Sequence, residues 1–227
     1  MAFVRGDEEL TVQVFGYNDA VGSSGETIWP SGGFITIGEA GAPQTMTLTS
    51  ASGATDNDVQ IKVIGTNGSS WAAQEETVTL SGSGTATTSN TFARLNKAEV
   101  VGTQELDGDV TIASTTNTTT RLVLDSAKGT GNCTYTVPWG YTGYIDSLNC
   151  TAQGTGNVNL TVSIQPFVQG TGYVPKDKTR NFNFTGSYFR SFKDPVKVEQ
   201  GSSIELQANA STSTGISADF VVLLDKN

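Results

Sequence analysis

The segment Asn157–Val168 reads NVNLTVSIQPFV, and it decides the fold class of the chain. Apolar side chains occupy alternate positions, at Val158, Leu160, Val162 and Ile164. A period of two places all four on one face of a β-strand, whereas a helix would scatter them around its axis. The segment therefore predicts a strand with one buried face and one polar face.

Comparable short segments recur along the whole chain, with turn residues such as Gly, Ser, Asn and Asp between them. They are Leu10–Phe15, Thr45–Ser50, Val59–Gly65, Glu76–Ser81, Leu95–Gly102, Asp109–Ser114, Arg121–Leu124, Cys133–Pro138, Thr142–Thr151, Arg180–Arg190, Ile204–Ala210 and Ile216–Leu224. The stretch Thr91–Val101 (TFARLNKAEVV) is also compatible with a helix, but its neighbours favour a strand. Many short strands with turn residues between them predict an all-β protein built from sandwiches or barrels.

The composition agrees with this fold class and indicates two domains. The 227 residues include 33 Thr and 21 Ser, whereas charged residues make up only 15%. The polar, β-branched run Ser114–Thr120 (STTNTTT) has the composition of a linker. We therefore predict two β-sandwich or jelly-roll-like domains in tandem, an acidic N-terminal β-domain at 1–116 and a C-terminal β-sandwich at 117–227. The formal charge is −10 in the first part and +1 in the second.

Several functional classes are disfavoured by the same numbers. The chain has no His and two Cys, which removes His-based catalysis and a His- or Cys-built zinc site. A pI of about 4.4 argues against nucleic acid as the main partner. No run of about 18 apolar residues predicts a membrane helix, and the opening MAFVRGDEEL lacks the apolar core of a signal peptide. We expect no enzyme, no catalytic residue, no cofactor and no metal.

Two acidic loops and two cysteines leave alternatives open. Asp56-Asn57-Asp58 and Asp107-Gly108-Asp109 are either calcium-binding loops or ordinary turns, and the turn interpretation is favoured because neither matches a calcium-loop motif. Cys133 and Cys150 flank the turn-rich segment PWGYTG at 138–143. They form a disulfide if the hairpin turns midway between them, and remain thiols in a protein assembled in the cytoplasm.

Aromatic residues are concentrated between Gln165 and Phe192, interleaved with Lys and Arg. This mixture fits a single-stranded nucleic-acid site or a protein interface, but the alternation of Phe182 and Phe184 favours a core strand. Trp29 is expected in the core of the first domain rather than at a ligand. Seven N-x-[ST] triplets mark glycosylation sites only in an exported protein. Their asparagines are Asn67, Asn117, Asn132, Asn149, Asn159, Asn183 and Asn209.

An ordered set of motifs resembles a family of virion structural proteins of tailed bacteriophages, of the marine and cyanobacterial type. The set begins with FGYNDAV and ETIWPSGGFITI between Phe15 and Ile37, with Tyr17-Asn18 and Gly32-Gly33 at the family's positions. Further matching segments are DVQIKVIGTN (58–67), EETVTLSGSGTATTSNTFARLNKAEVVG (75–102), GDVTIA (108–113), YTVPWGYTGYI (135–145), PVKVEQGSSIELQANA (195–210) and ISADFVVLL (216–224). The sequence departs from the family pattern at Thr66-Asn67, where Leu-Asp is commoner, and at Ser81, where Asn is common.

The resemblance implies a non-enzymatic part of the virus particle, most specifically a capsid decoration, knob or fibre protein. It implies other virion proteins as partners, namely the major capsid protein or a tail protein, and a virion location after assembly in the host cytoplasm. We expect a homo-oligomer, with a trimer favoured because capsids offer three-fold sites. Subunit contacts are expected in 117–227, since the acidic first part repels its own copies. Two alternatives are a tail- or fibre-associated module that binds a receptor or glycan, and, less favoured, a polysaccharide depolymerase.

Overall fold

A computed structural model describes residues 10–35, 43–68, 70–116, 118–127, 129–168, 172–173 and 178–227. Within these residues the regular structure consists of antiparallel β-strands and one short 3-10 helix, Gly53–Asp56, which confirms the all-β prediction. The helix-compatible stretch near residue 95 is a strand, Phe92–Val101. A helix with the length and apolarity to span a membrane does not occur in the described part of the chain.

The strands are numbered in chain order. They are β1 Leu10–Val21, β2 Glu26–Thr27, β3 Met46–Ser50, β4 Gln60–Asn67, β5 Ala73–Thr79, β6 Thr85–Thr87, β7 Phe92–Val101, β8 Val110–Ser114, β9 Thr120–Asp125, β10 Gly129–Thr130, β11 Thr134–Thr136, β12 Tyr141–Ala152, β13 Val158–Gln165, β14 Phe167–Val168, β15 Gly172–Tyr173, β16 Lys178–Phe184, β17 Ser187–Val198, β18 Ser203–Ala210 and β19 Thr214–Lys226.

The first and last described strands are neighbours in one sheet. β1 pairs antiparallel with β19, from Leu10 opposite Leu224 to Asn18 opposite Ile216. Sheet 1 has the order β1-β19-β12-β17, and sheet 2 has the order β11-β18-β13-β16, with β2 also paired to β18. The two sheets bury their alternating apolar residues in one hydrophobic cluster, which includes Leu160 from sheet 2 and Phe220 from sheet 1.

The strands between β2 and β11 form a second group with its own core. Sheet 3 has the order β10-β9-β8-β3-β6, and sheet 4 has the order β5-β4-β7. Leu48 and Ile112 from sheet 3 share a buried cluster with Ile61 and Phe92 from sheet 4. Residues 43–130 are called here the inserted unit, and residues 10–35 with 131–227 the terminal unit.

This grouping of strands differs from the predicted division at residue 116. β1 and β2 pair with strands near the C-terminus. The run Ser114–Thr120 connects β8 to its direct neighbour β9, and Thr118 N donates to Ser114 O at 3.0 Å across that turn. A polar, β-branched run suits an exposed turn within a sheet as well as a linker. Composition alone could not distinguish the two.

Candidate functional site

The two predicted acidic loops lie against each other. The carboxylate of Asp56 is fully buried and accepts hydrogen bonds from Ser50 Oγ and, at 2.7 Å, from the backbone N–H of Asp107. Asp109 accepts from the backbone N–H of Ser126 at 3.0 Å. The Asp56 bonds join the end of β3 to the β7–β8 connection, and the Asp109 bond joins that connection to the residues after β9, which is the structural role of a turn. Clusters of three or more potential metal-ligating side chains do not occur among the described residues.

Both cysteines are free thiols in the core of the terminal unit. Cys133 Sγ donates to the carbonyl of Ala218 at 3.1 Å. Burial raises the pKa of the Cys150 thiol to about 12 and that of Cys133 well above its ordinary value. Since the thiolate is the reactive form, these two cysteines are structural rather than reactive.

Trp29 is buried, as predicted, but it lies between the two units rather than in a main core. Its exposed fraction is 6%, and its ring belongs to a small cluster with Ile35 and with Val123 of the inserted unit. The indole N–H donates to the carbonyls of Gly32 at 2.8 Å and Gly33 at 3.1 Å. Both acceptor glycines have positive φ, which turns their segment back toward the ring. Trp29 therefore helps to fix how the units meet.

The other two tryptophans, far apart in sequence, meet at the same junction. The backbone N–H of Trp139 donates to the backbone carbonyl of Trp71 at 2.9 Å. Phe167 contacts both rings, with centroid distances of 4.6 Å to Trp71 and 6.4 Å to Trp139. The guanidinium of Arg94 lies 5.2 Å above the Trp71 ring, within the range of a cation–π interaction. The sequence carried no signal for this cluster, because its four members come from four separate loops and strands.

A single asparagine makes two buried hydrogen bonds between the units. Asn96, on β7, donates its side-chain amide to the carbonyl of Thr136 at 2.9 Å and accepts from the N–H of Thr136 at 2.8 Å. All these atoms are buried, so the two hydrogen bonds take the place of the hydrogen bonds to water that burial prevents. A second link runs from Tyr17 to Asp125, and burial together with this bond raises the pKa of Tyr17. The units are therefore held in a defined orientation.

An open groove of about 880 Å³ follows the junction on one side. Its walls include β1 from the terminal unit and β7 and β9 from the inserted unit, with Val12, Val100 and Leu124 among the lining residues. Leu10, at the mouth, is 51% exposed.

The aromatic segment between residues 165 and 192 divides into core and surface. Phe182, Phe184 and Tyr188 pack against the core of the terminal unit, and Phe192 is buried, which supports the core interpretation for these four. Phe189, in contrast, is 70% exposed. The prediction based on alternation worked where the strand has one buried face and missed the exposed ring.

Basic residues lie beside these rings at the edges of two sheets. β16 is the outer strand of sheet 2 and β17 the outer strand of sheet 1. The guanidinium of Arg190 lies 5.4 Å from the centroid of Phe182 and 5.2 Å from that of Phe192, and Arg180 lies 5.7 Å from Phe192. Lys193 is exposed on the same strand as Phe189. We call β16 and β17 together the basic edge.

Comparison with known proteins adds little to this geometry. No protein-family model and no curated protein matches the chain. Two solved structures are similar over 97% of the chain: the infectious bursal disease virus Gt strain (TM-score 0.22, 12% identity, 73% of that chain) and the VP2 subviral particle of infectious bursal disease virus (TM-score 0.21, 10% identity, 77% of that chain). At these TM-scores the likeness carries no argument about fold or function.

Proposed function

We propose that the chain is a non-enzymatic structural component of a tailed-phage virion, most specifically a capsid decoration or knob protein on the particle surface. The ordered motifs that resemble the phage family support this role. They fall on strands of both units. In the terminal unit, the first two residues of ETIW form β2, and ISADFVVLL lies within β19. In the inserted unit, DVQIKVIGTN contains β4, and GDVTIA contains most of β8. The resemblance therefore extends over the whole architecture rather than one local turn.

Two β-sandwiches are the architecture that we propose for this role. Sheets 1 and 2 share one core and sheets 3 and 4 share another, as the two layers of a sandwich do. The sheets also resemble a four-bladed propeller. In a propeller each blade packs against two neighbours around a central channel. The pairwise sharing of cores favours sandwiches.

The observation that supports contacts between copies of the chain is the basic edge. The free edge of a strand is a template for association, and β17 exposes Phe189 there. Arg180, Arg190 and Lys193 supply positive charge in a chain whose formal net charge is −9. We propose that this edge makes the contacts between copies in a homotrimer, while the acidic inserted unit faces solvent or a basic partner.

A reconstruction of the intact particle by electron microscopy tests the virion role. We expect density that fits both units on the capsid surface, at or around a three-fold position. Density only on the tail or fibre would support the alternative role described below. Absence of the chain from purified particles, by mass spectrometry, would contradict the virion role altogether.

A single substitution tests the proposed contact between copies. Phe189→Glu places a carboxylate on β17 of the basic edge without disturbing the core, because the side chain is exposed. We expect native mass spectrometry to give a trimer for the unchanged chain and a monomer for this variant. Phe34→Glu is the matched control, since Phe34 is also well exposed, at 59%, and lies away from the edge strands. A monomeric unchanged chain, or a trimeric variant, would contradict the proposal.

The second candidate is a tail- or fibre-associated module that binds a receptor or glycan. Phe34 supports it, because a phenyl ring that is 59% exposed is accessible to a receptor or glycan. Binding of the isolated protein to host cells, with loss in Phe34→Ala, would support this role over decoration.

A further inference from the structure

Three of the seven N-x-[ST] asparagines lie side by side in sheet 2. Asn159, on the central strand β13, is opposite Asn183 of β16 on one side and opposite Asn209 of β18 on the other. Thr161, two residues after Asn159, lies on the same face of β13, whereas the matching Thr185 and Ser211 come directly after the ends of β16 and β18. The repeated triplet in the sequence is therefore a row of amides on one face of three neighbouring strands.

This row belongs to the face that points away from the core. The neighbours Val158 and Leu160 are buried in the cluster between sheets 1 and 2, so the alternating position at Asn159 faces outward. The next outward position on β13 continues the pattern, since Thr161 donates to the side-chain oxygen of Asn181 at 2.9 Å. Amides and hydroxyls thus cover adjoining rows of the face.

The row borders an open depression of about 710 Å³, a volume within the range of small-molecule sites. Ser23, Thr185 and Ser211 add hydroxyl groups to the lining. All described residues that line the depression are uncharged. Its chemistry is therefore that of neutral hydrogen-bond donors and acceptors.

One acceptor in the centre of the row has no partner. The side-chain oxygen of Asn159 is buried and makes no hydrogen bond within the described structure. A buried polar atom of this kind ordinarily has a partner, from the protein or from something bound to it. A donor supplied by a ligand would complete it.

An exposed aromatic ring stands at one end of the row. Phe34 and Asn209 both lie close to Gly25: a Cβ atom built on this glycine would be 3.9 Å from Phe34 Cζ and 4.0 Å from Asn209 Cβ. Gly25 also has φ of +78°, so the position favours glycine on conformational grounds as well. The ring thus extends the amide row with an apolar surface.

We infer that this face, formed by Asn183, Asn159, Asn209 and Phe34, binds a neutral carbohydrate, which deepens the receptor-binding alternative and rests on it. Each sugar hydroxyl donates and accepts, as each asparagine amide does, and the C–H face of a pyranose ring matches an exposed phenyl ring. Anionic ligands such as phosphate or sulfate would be bound by Arg or Lys, which the depression lacks in its described lining.

Titration of the full chain with neutral hexasaccharides tests the site. The probes are maltohexaose, cellohexaose and a mannohexaose, with an alginate hexasaccharide as the anionic comparison. Binding is measured by isothermal titration calorimetry and by changes in amide chemical shifts. We expect at least one neutral probe to bind with a Kd at or below about 1 mM. Asn183→Ala and Phe34→Ala, both at exposed positions, should each weaken that binding about tenfold, which corresponds to about 1.4 kcal/mol.

Asn149→Ala is the matched control. Asn149 also lies in an N-x-[ST] triplet, but on sheet 1, where its amide donates to Asp219 at 3.2 Å. The Kd of this variant for the neutral probe should stay within about twofold of the value for the unchanged chain, well under the tenfold change that corresponds to about 1.4 kcal/mol. Failure of every neutral probe to bind, binding of alginate alone, equal losses in the control, or a change of oligomeric state in Asn183→Ala would each overturn the site. The particle reconstruction tests the virion role separately.

Discussion

The inserted and terminal units differ in how far apart along the chain their paired strands lie. Every strand pairing of sheets 3 and 4 falls within residues 43–130. The terminal unit is closed by β1 on β19, which joins Leu10 to Leu224. Non-local pairing must await the whole chain and loses more loop entropy on closing. The inserted unit is therefore complete in itself, whereas the terminal unit depends on both ends of the chain.

The sharpest test of this difference is to express fragments. Residues 43–130 alone should fold, because both sheets and the whole core of the inserted unit are present. Residues 117–227 alone should not, because β19 loses its partner β1 and β9 loses its partner β8. Dispersed amide resonances and a cooperative thermal transition are expected for the first fragment and neither for the second.

The control is a fragment that restores the missing pairing. Residues 10–35 joined by a short Gly-Ser linker to 131–227 bring β1 and β19 together again and should recover a cooperative transition. Folding of 117–227 without β1 would contradict the strand grouping and favour the division at residue 116.

The same comparison explains what could be predicted from sequence. The tendency to form a strand is a local property, so alternation located β13, Val158–Gln165, and the strand around residue 95. The predicted segment Asn157–Val168 was too long, because Phe167–Val168 belongs to a separate strand that pairs with β15. The partner of a strand is a non-local property, and β1 carries no feature that identifies β19 in advance. The run Ser114–Thr120 shows the limit, since its composition fits both a linker and the β8–β9 turn.

Truncation of a core ring should destabilise one unit at a time. Phe92 and Phe220 are each about 1% exposed, the first in the inserted core and the second in the terminal core. Phe→Ala in a core costs about 3–5 kcal/mol through lost burial and the cavity left behind. Phe92→Ala should unfold residues 43–130 at lower urea concentration, and Phe220→Ala the terminal unit, as followed by hydrogen exchange resolved along the chain. Equal loss of protection in both units would mean that they unfold as one.

Loss of the Asn96 link should separate the two unfolding transitions. Asn96→Ala leaves the buried N–H and carbonyl of Thr136 without partners, and each unsatisfied group costs about 1–3 kcal/mol. We expect stability to fall by about 2–6 kcal/mol for the two groups together, with two resolved transitions in calorimetry. Asn57→Ala, at an exposed residue of the β3–β4 connection, is the control and should leave the melting profile unchanged.

The candidate site was harder to predict than the fold for a related reason. The N-x-[ST] triplets were visible in the sequence, but their meaning depends on register: Asn159, Asn183 and Asn209 become neighbours only because three strands align. Trp71 and Trp139 likewise meet through backbone contact between separate loops. Pairing that is invisible in the sequence thus decides which side chains share a surface.

The smallest expected effect is a pH response confined to the terminal unit. Burial alone would raise the pKa of Glu26, but hydrogen bonds from the N–H groups of Gly22 and Gly33 and from the Asn18 amide outweigh it and lower that pKa overall. A carboxylate with a lowered pKa stabilises the folded chain above the ordinary Glu value, and this contribution is lost as the pH falls through the folded pKa. Between pH 7 and pH 3 the amides of Gly22 and Gly33 should therefore lose protection from hydrogen exchange, once the intrinsic rates are corrected for pH.

Glu26→Gln should remove this pH dependence while leaving the inserted unit unaffected. If both glycines keep their protection at pH 3, or if the variant responds to pH as the unchanged chain does, the charge on Glu26 does not hold the β1–β2 turn.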